Sequence, residues 1–353
     1  MTTAALPAIS VRAPRLRVPW LVAALALTAA AALAGLVVGP VTMSPWAVVR
    51  EVADHLPLVD VESGLTAQEQ GIVWQLRLPR VVLGLLVGGS LALAGGAYQG
   101  AFRNPLADPY LLGAGAGAGL GATLAIVAGS GGRTGLPVPL AAFAGALLAV
   151  TFTYVLGGAA GRSRSPASLI LAGVAIASLF TAVQAFVQQR QSETVREVYL
   201  WILGRLTTAS WAEVRLLVPY VVVTGAVLLA CRRMLDVLAL GDDETTALGL
   251  SPVAVRAIVV VAASLLTAAT VAVSGLIGFV GIIVPHTVRL LTGASYRTIL
   301  PLSMLSGAAF VCLADLLARQ ALAPAEIPIG VVTAFFGAPF FLVVLRTSRR
   351  LAA

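Results

Sequence analysis

Residues 77–121 read RLPRVVLGLLVGGSLALAGGAYQGAFRNPLADPYLLGAGAGAGLG. Two apolar runs, residues 80–101 and 109–129, flank a short turn containing Arg103, Asn104 and Asp108. Each run has the roughly 20 residues that a helix needs to cross the hydrocarbon core of a bilayer. Pro79 suits the first turn of a helix, and Asn104-Pro105 and Asp108-Pro109 are turn and helix-start chemistry that fixes the chain's return. Gly84 and Gly88, Gly96 and Gly100, and Gly113, Gly117 and Gly121 recur every four residues. Residues four apart share a helix face, and a missing side chain there lets two backbones approach. The stretch reads as two helices of a tightly packed membrane bundle. The spacing alone does not say whether that bundle surrounds a pathway.

The same test along the chain gives ten candidate spans, at residues 20–39, 80–101, 109–129, 136–157, 167–189, 213–231, 253–274, 277–292, 298–318 and 328–346. The third and eighth are the weakest, because glycine interrupts both. The first is long and runs into Val-Val-Gly-Pro rather than a small-residue cleavage site, so it reads as a retained span. Composition agrees: of 353 residues, 59% are hydrophobic and 11% charged, against roughly 25% charged in soluble domains. So few charges cannot cover a water-soluble fold of this size. The expected class is all-α, a polytopic membrane protein whose excess apolar surface faces lipid.

All 23 basic residues are Arg, and the chain has no Lys. A Walker A loop needs its Lys on the nucleotide phosphates, so this chain does not hydrolyse ATP by that motif. A Lys Schiff base is equally excluded. The formal charge of +8 is scattered between apolar spans and forms no stripe for nucleic acid. Cys231 and Cys312 sit in apolar stretches and do not report on redox compartment. With the N-terminus inside, 14 Arg fall on the inner side and 9 on the outer, which favours cytosolic termini. The outer minority requires its own explanation.

Three further stretches are distinctive: ALGDDETTALGLSPVAVR (239–256), GLIGFVGIIVPHTVRLLTG (275–293) and EIPIGVVTAFFGAPFFLVVL (326–345). With RLPR and RNPLADP before them, they resemble the permease subunits of type II ABC importers, which carry iron–siderophore complexes, haem and cobalamin. The resemblance covers nearly the whole chain after about residue 65. It implies ten helices per subunit and a second permease subunit, the same chain or a paralogue. It also implies two cytosolic ATPase subunits and an extracytoplasmic substrate-binding protein. No cofactor, metal or catalytic residue is expected. The layout is a cytosolic tail at 1–19, one transmembrane permease domain at 20–346 and a cytosolic tail at 347–353, in a bacterial-type plasma membrane. The expected cargo is an iron complex, with cobalamin as the alternative; a less favoured alternative is an ion-coupled secondary carrier.

Residues 236–252, between the sixth and seventh spans, carry Asp236, Asp242, Asp243, Glu244, Thr245, Thr246, Leu248 and Gly249. Asp243 or Thr245 suits a cap and Gly249 a stop for a short helix. The resemblance makes this segment the element that couples to the ATPase; on composition alone it is a solvated acidic loop. Arg77, Arg80 and Arg319 lie at outer ends of the second and ninth spans. They are either snorkelling side chains or, by the resemblance, the contacts to carboxylates of the binding protein. Asp315 is the one acid well inside a span, and Arg319 lies four residues later on the same face; the expectation is a structural ion pair. His286 has no second His or Cys nearby, so packing around Pro285 is favoured over ligation.

By the resemblance the fifth span lines the pathway, with Gln184 and Gln188 as candidates and an inner gate at Ser165, Pro166, Ala167 and Ser168. Pro166 and Ala167 depart from the small hydroxyl residues of the family pattern. Arg205 lies at the outer mouth, suited to an anionic ligand or to a lipid headgroup. Gln99 is placed to hydrogen-bond a neighbouring helix.

Overall fold

The computed structural model describes residues 16–55, 61–130, 137–159 and 166–350. The helices are α1 (Val18–Val37), α2 (Pro45–Asp54), α3 (Ala67–Gly71), α4 (Leu78–Phe102), α5 (Ala114–Ser130), α6 (Val138–Ala159), α7 (Pro166–Arg190) and α8 (Val195–Ile202). They continue with α9 (Trp211–Ala230), α10 (Arg232–Leu238), α11 (Asp242–Ala247), α12 (Pro252–Ser274), α13 (Val280–Thr292), α14 (Tyr296–Gln320) and α15 (Ile329–Arg350). A π-helical turn, Ile72–Arg77, joins α3 to α4.

Among the described residues, seven helices are long and apolar enough to cross a membrane, and three shorter apolar helices lie at Ala114–Gly129, Val280–Thr292 and Ile329–Val344. Together they occupy the ten expected positions. The two segments weakest in the sequence are α5 and α13, both among the short ones. Their entries are irregular: a 3-10 turn, Pro109–Leu112, precedes α5, and Phe279, at φ 68°, precedes α13. Pro285 sits inside α13 without ending it.

α4 is the hub, buried along most of its length and packed on α9, α12, α13 and α14. Glycine sets how close these helices come. A Cβ on Gly88 would lie 2.1 Å from the Gly307 carbonyl oxygen of α14, and one on Gly95 would lie 2.1 Å from that of Gly281 in α13. Gly117 and Gly121 press on Gly145 and Ala141 of α6 in the same way. Gly84 differs: its nearest neighbour would be Cys312 Sγ at an ordinary 3.4 Å. The outward faces of α1, α6, α7, α9 and α15 are studded with exposed Leu, Val and Phe, including Leu171 and Phe335, as a lipid-facing bundle requires.

Candidate functional site

Three groups of candidate residues lie at separate levels of the bundle. At the end where α4 begins, Arg80 bridges two carboxylates. Its Nε donates to both oxygens of Asp315 at 3.1 Å and its Nη2 to Oδ1 at 2.9 Å. Nη1 and Nη2 donate to Glu326 at 3.0 and 2.9 Å, a bidentate fork. Arg319 Nε lies 3.2 Å from Asp315 Oδ2, the pair expected from the i,i+4 spacing. Its other nitrogens reach the carbonyls of Val38 and Gly35 at 3.3 and 3.2 Å. Thr207 donates to Glu326 at 3.0 Å. Two cations and two carboxylates thus neutralise one another at a partly buried boundary, the geometry in which ion pairs are worth keeping. The Arg80 hydrogen bonds hold the Glu326 carboxyl below its ordinary pKa.

Arg77 belongs to a different construction. It is 5% exposed and donates to Leu36 O at 2.8 Å, Val37 O at 3.0 Å and Val41 O. Those carbonyls lie at or just past the end of α1, where no intrahelical donor remains. Arg77 therefore caps α1. Neither an exposed fork nor a snorkelling head is found at this position, and Arg319 is likewise committed to the chain's own carbonyls. Arg205 is half-buried, in a cavity of about 210 Å3 that also presents Asp315, Glu326 and Thr207.

In the last two turns of α7, Gln184 and Gln188 face a cavity of about 560 Å3 together with Tyr110 and Thr181. An adjoining cavity of about 600 Å3 shares Ile202 and Leu276 with it and is otherwise walled by α15, including Phe335 and Pro339. Of the expected gate, Ser165 lies outside the described residues. Pro166 opens α7, Ala167 is exposed and Ser168 is half-buried.

At the other end of the bundle, α11 stands on two arginines. Asp242 receives Arg103 Nη2 at 2.7 Å and Arg256 through Nη1 and Nη2 at 2.9 and 2.6 Å. The Arg256 bonds, with the Arg103 charge, hold the Asp242 carboxyl below its ordinary pKa. Arg256 also donates to Ala101 O, in the last turn of α4, at 3.1 Å. Arg103 adopts φ 50° at the C-terminus of α4, a left-handed position that normally selects glycine. A side chain is kept there despite the strain, and that side chain holds α11.

Thr245 is fully buried under α11 and bonds Val237 O at 3.2 Å and Gly241 O. The helix ends as expected at Gly249, φ 80°, with Gly249 N–H on Thr246 O and Leu250 N–H on Thr245 O, a Schellman stop. Its start differs: Gly241, not Asp243 or Thr245, is the N-cap residue. Asp243, Glu244, Thr246 and Leu248 point outward, beside exposed Leu240 and Val253. Asp236 ties α10 to the start of α14 by accepting from Ser295 Oγ at 2.8 Å and Tyr296 N at 2.6 Å.

Gln99 bonds the Gly281 carbonyl of α13 at 3.1 Å, and Asn104 and Asp108 accept from the backbone at Leu106 and Tyr110, as expected. His286 packs edge-on against Phe340. Among the described residues no cluster of His, Cys, Asp and Glu fits a metal. Sequence reading missed Glu326, Arg103 and Arg256, whose partners lie far away in the chain. It also missed Glu51, which is 2% exposed and accepts from Ser63, Gln70 and Trp74.

Residues 24–347 match the profile of the FecCD transport family. A cobalamin import system permease from Halobacterium salinarum is 42% identical over 302 residues, 86% of this chain and 79% of that protein. A vitamin B12 import system permease from Klebsiella pneumoniae is 40% identical over 286 residues, 81% and 85% of the two chains. An uncharacterised ABC transporter permease from Bacillus subtilis is 39% identical over 79% of this chain and 80% of its own length. Among solved structures, a metal-chelate type ABC transporter in an inward-facing conformation superposes with a TM-score of 0.79 at 30% identity, covering 93% of this chain and 98% of that one.

Proposed function

This chain belongs to the FecCD transport family and is the multi-pass permease of an ABC importer; from that premise we propose that its cargo is a large metal chelate, cobalamin before an iron–siderophore or haem complex. The observation that carries the cargo is the 42% identity, over 86% of the chain, to a cobalamin import permease. An iron complex stays the second reading, supported by the kinship to a metal-chelate type transporter. Residues 20–346 form the permease domain, and the tails at 1–19 and 347–353 are cytosolic.

Two copies, or this chain and a paralogue, enclose the pathway. Two ATPase subunits seat on the outward face of α11, through Asp243, Glu244, Thr246 and Leu248, with Asp242, Thr245 and Gly249 shaping that peg. The binding protein docks at the opposite end. Arg80 is the docking guanidinium best placed to act there, because its partner Glu326 is itself a third exposed, whereas Arg77 and Arg319 support the surface from beneath. Gln184 and Gln188 line the path, residues 165–168 close its inner side, and Arg205 stands at its mouth. Alternating access follows when nucleotide-driven motion at α11 rearranges helices around α7. A secondary carrier needs a titratable group near the midplane; Asp315 lies near the end of α14 in an ion network.

The test is uptake into proteoliposomes holding the permease with its cognate ATPase subunits and binding protein. ATP-dependent accumulation of cyanocobalamin is expected. Accumulation of a ferric siderophore alone would move the cargo to the second reading, and accumulation that follows a proton gradient at fixed ATP would overturn the importer mechanism.

A further inference from the structure

The pathway cavity on α7 has an unusual polar complement. Thr181, Gln184 and Gln188 stand at i, i+3 and i+7, so they share one helix face, and all three line the cavity of about 560 Å3. Gln184 is 8% exposed. Its amide has no hydrogen-bond partner among the described residues, and neither the Gln188 amide nor the Thr181 hydroxyl has one. Gln184 is not among the described residues whose polar atoms are fully enclosed without a partner, so its amide opens into the cavity, where a molecule passing through can meet its donors and acceptor. The only other hydroxyl in the lining is committed: Tyr110 donates to Ile277 O at 3.2 Å and accepts from Ile277 N at 3.3 Å. The opposite wall makes room for the amide, since a Cβ on Gly119 would lie 2.9 Å from Gln184 Oε1. Among the described residues no charged side chain lines this cavity. Arg190, two residues beyond Gln188, stacks on Phe186 at the end of α7 and is not part of the lining, and Arg205 opens into the cavity that holds Asp315 and Glu326.

We propose that Thr181, Gln184 and Gln188 form a specificity-determining subsite of the pathway that takes uncharged, amide- or hydroxyl-bearing chelates and disfavours multiply anionic ones. The inference rests on the importer reading above and deepens it by naming the cargo chemistry this face accepts. Each Gln amide presents two N–H donors and one carbonyl acceptor, so the face both donates to and accepts from a primary amide. A corrinoid rim of acetamide and propionamide arms offers the same complement in return. A ferric tricatecholate offers only acceptors and negative charge, and its desolvation in a cavity without a cation is unfavourable. A second copy of the chain across a two-fold axis would double the row.

The experiment uses the assembled complex in proteoliposomes, with cyanocobalamin and a ferric tricatecholate as probes, each supplied at equal concentration inside a binding protein that loads it. Wild type is expected to favour cyanocobalamin. Gln184→Leu with Gln188→Leu should lower cyanocobalamin uptake about fivefold for each hydrogen bond lost, while binding-protein affinity and stimulation of ATP hydrolysis stay at wild-type values. Gln184→Arg should shift the uptake ratio towards the tricatecholate. Thr181→Val and Gln188→Leu, at less buried positions, serve as variants whose membrane insertion and elution profile are checked first. Wild-type uptake by the folded double-Leu variant, or an unshifted ratio in folded Gln184→Arg, overturns the subsite. Failure of the importer reading looks different: the wild-type complex then moves neither chelate and its ATP hydrolysis does not respond to the loaded binding protein.

Discussion

Asp315→Asn separates a structural carboxylate from an ion-coupling one. Asp315 is 4% exposed and receives three hydrogen bonds from Arg80 and one ionic contact from Arg319. Asn keeps the shape and one acceptor oxygen. It replaces the other oxygen with an NH2 group aimed at guanidinium donors, and it removes the charge. Breaking a buried ion pair from one side costs about 3–5 kcal/mol. The loss here is smaller, because Glu326 still neutralises Arg80 and the carbonyls of Gly35 and Val38 still receive Arg319; about 2–3 kcal/mol is expected. The assay is reversible unfolding in mixed micelles, paired with ATP-driven uptake normalised to folded permease. Stability should fall by that amount, uptake per folded molecule should stay within about twofold, and ionophores at fixed ATP should change nothing. Unchanged stability with uptake abolished would refute the structural assignment and make Asp315 a coupling carboxylate.

Replacing residues 242–246 with Gly-Ser should leave the permease inserted and folded, because α11 stands outside the spans, and should abolish co-purification of the ATPase subunits; retention of both would displace the coupling assignment. Gly88→Ala should destabilise by roughly 1–3 kcal/mol, since its Cβ would press on the Gly307 carbonyl at 2.1 Å, whereas Gly84→Ala, with 3.4 Å to its nearest neighbour, should be neutral or slightly stabilising. Equal unfolding midpoints for the two would show that α4 and α14 are not set by glycine contact. The Glu326 carboxyl has its folded pKa lowered from 4.5, first by the Arg80 hydrogen bonds. Its contribution is therefore complete above 4.5 and drains as pH falls through the lower folded value. Wild type should exceed Glu326→Gln in stability at pH 6, and the gap should close in acid; a gap that widens there would reverse the sign of the linkage.

The spans were legible because lipid imposes a length and a composition that any 20-residue window reports. Boundaries agree closely: residues 253–274 against Pro252–Ser274, and residues 167–189 against Pro166–Arg190. Helix starts leave a second kind of signal, and two caps are written in the sequence, one at a short helix outside the spans and one at a span. Thr66 and Glu69 form a capping box at α3, and Ser210 and Glu213 form another at α9, both of the Ser/Thr-x-x-Glu pattern. The charged sites were legible only in half. Arg80, Arg319, Asp315 and Asp242 stand out because charge is rare here. Their partners do not, since Arg80 meets Glu326 across 246 positions and Arg103 meets Asp242 across 139. No local pattern encodes such pairs; they arise from which helices the glycines allow to touch.

The same few helices carry both ends. α4 carries Arg80 in its first turn and finishes beside Arg103, a distance of about 35 Å at 1.5 Å per residue, and α14 runs the opposite way from the Asp236 contact at Tyr296 to Asp315 and Arg319. Carbonyl-to-glycine contacts weld these two helices at Gly88 and Gly307, and a close-packed interface of that kind shifts as a body rather than deforming. Under the coupling role proposed for α11, a displacement of that helix would pass through Arg103 and Arg256 to α4 and α12 and reach the Arg80 network with their packing intact. α7 is built differently. Its neighbours are mainly α5 and α6, many of its apolar side chains are exposed, and its polar row has no hydrogen-bond partners among the described residues. A rigid α4–α14 frame beside a loosely held α7 is the division that the proposed alternating access requires, with the ends coupled through the frame and the wall on α7 left to rearrange.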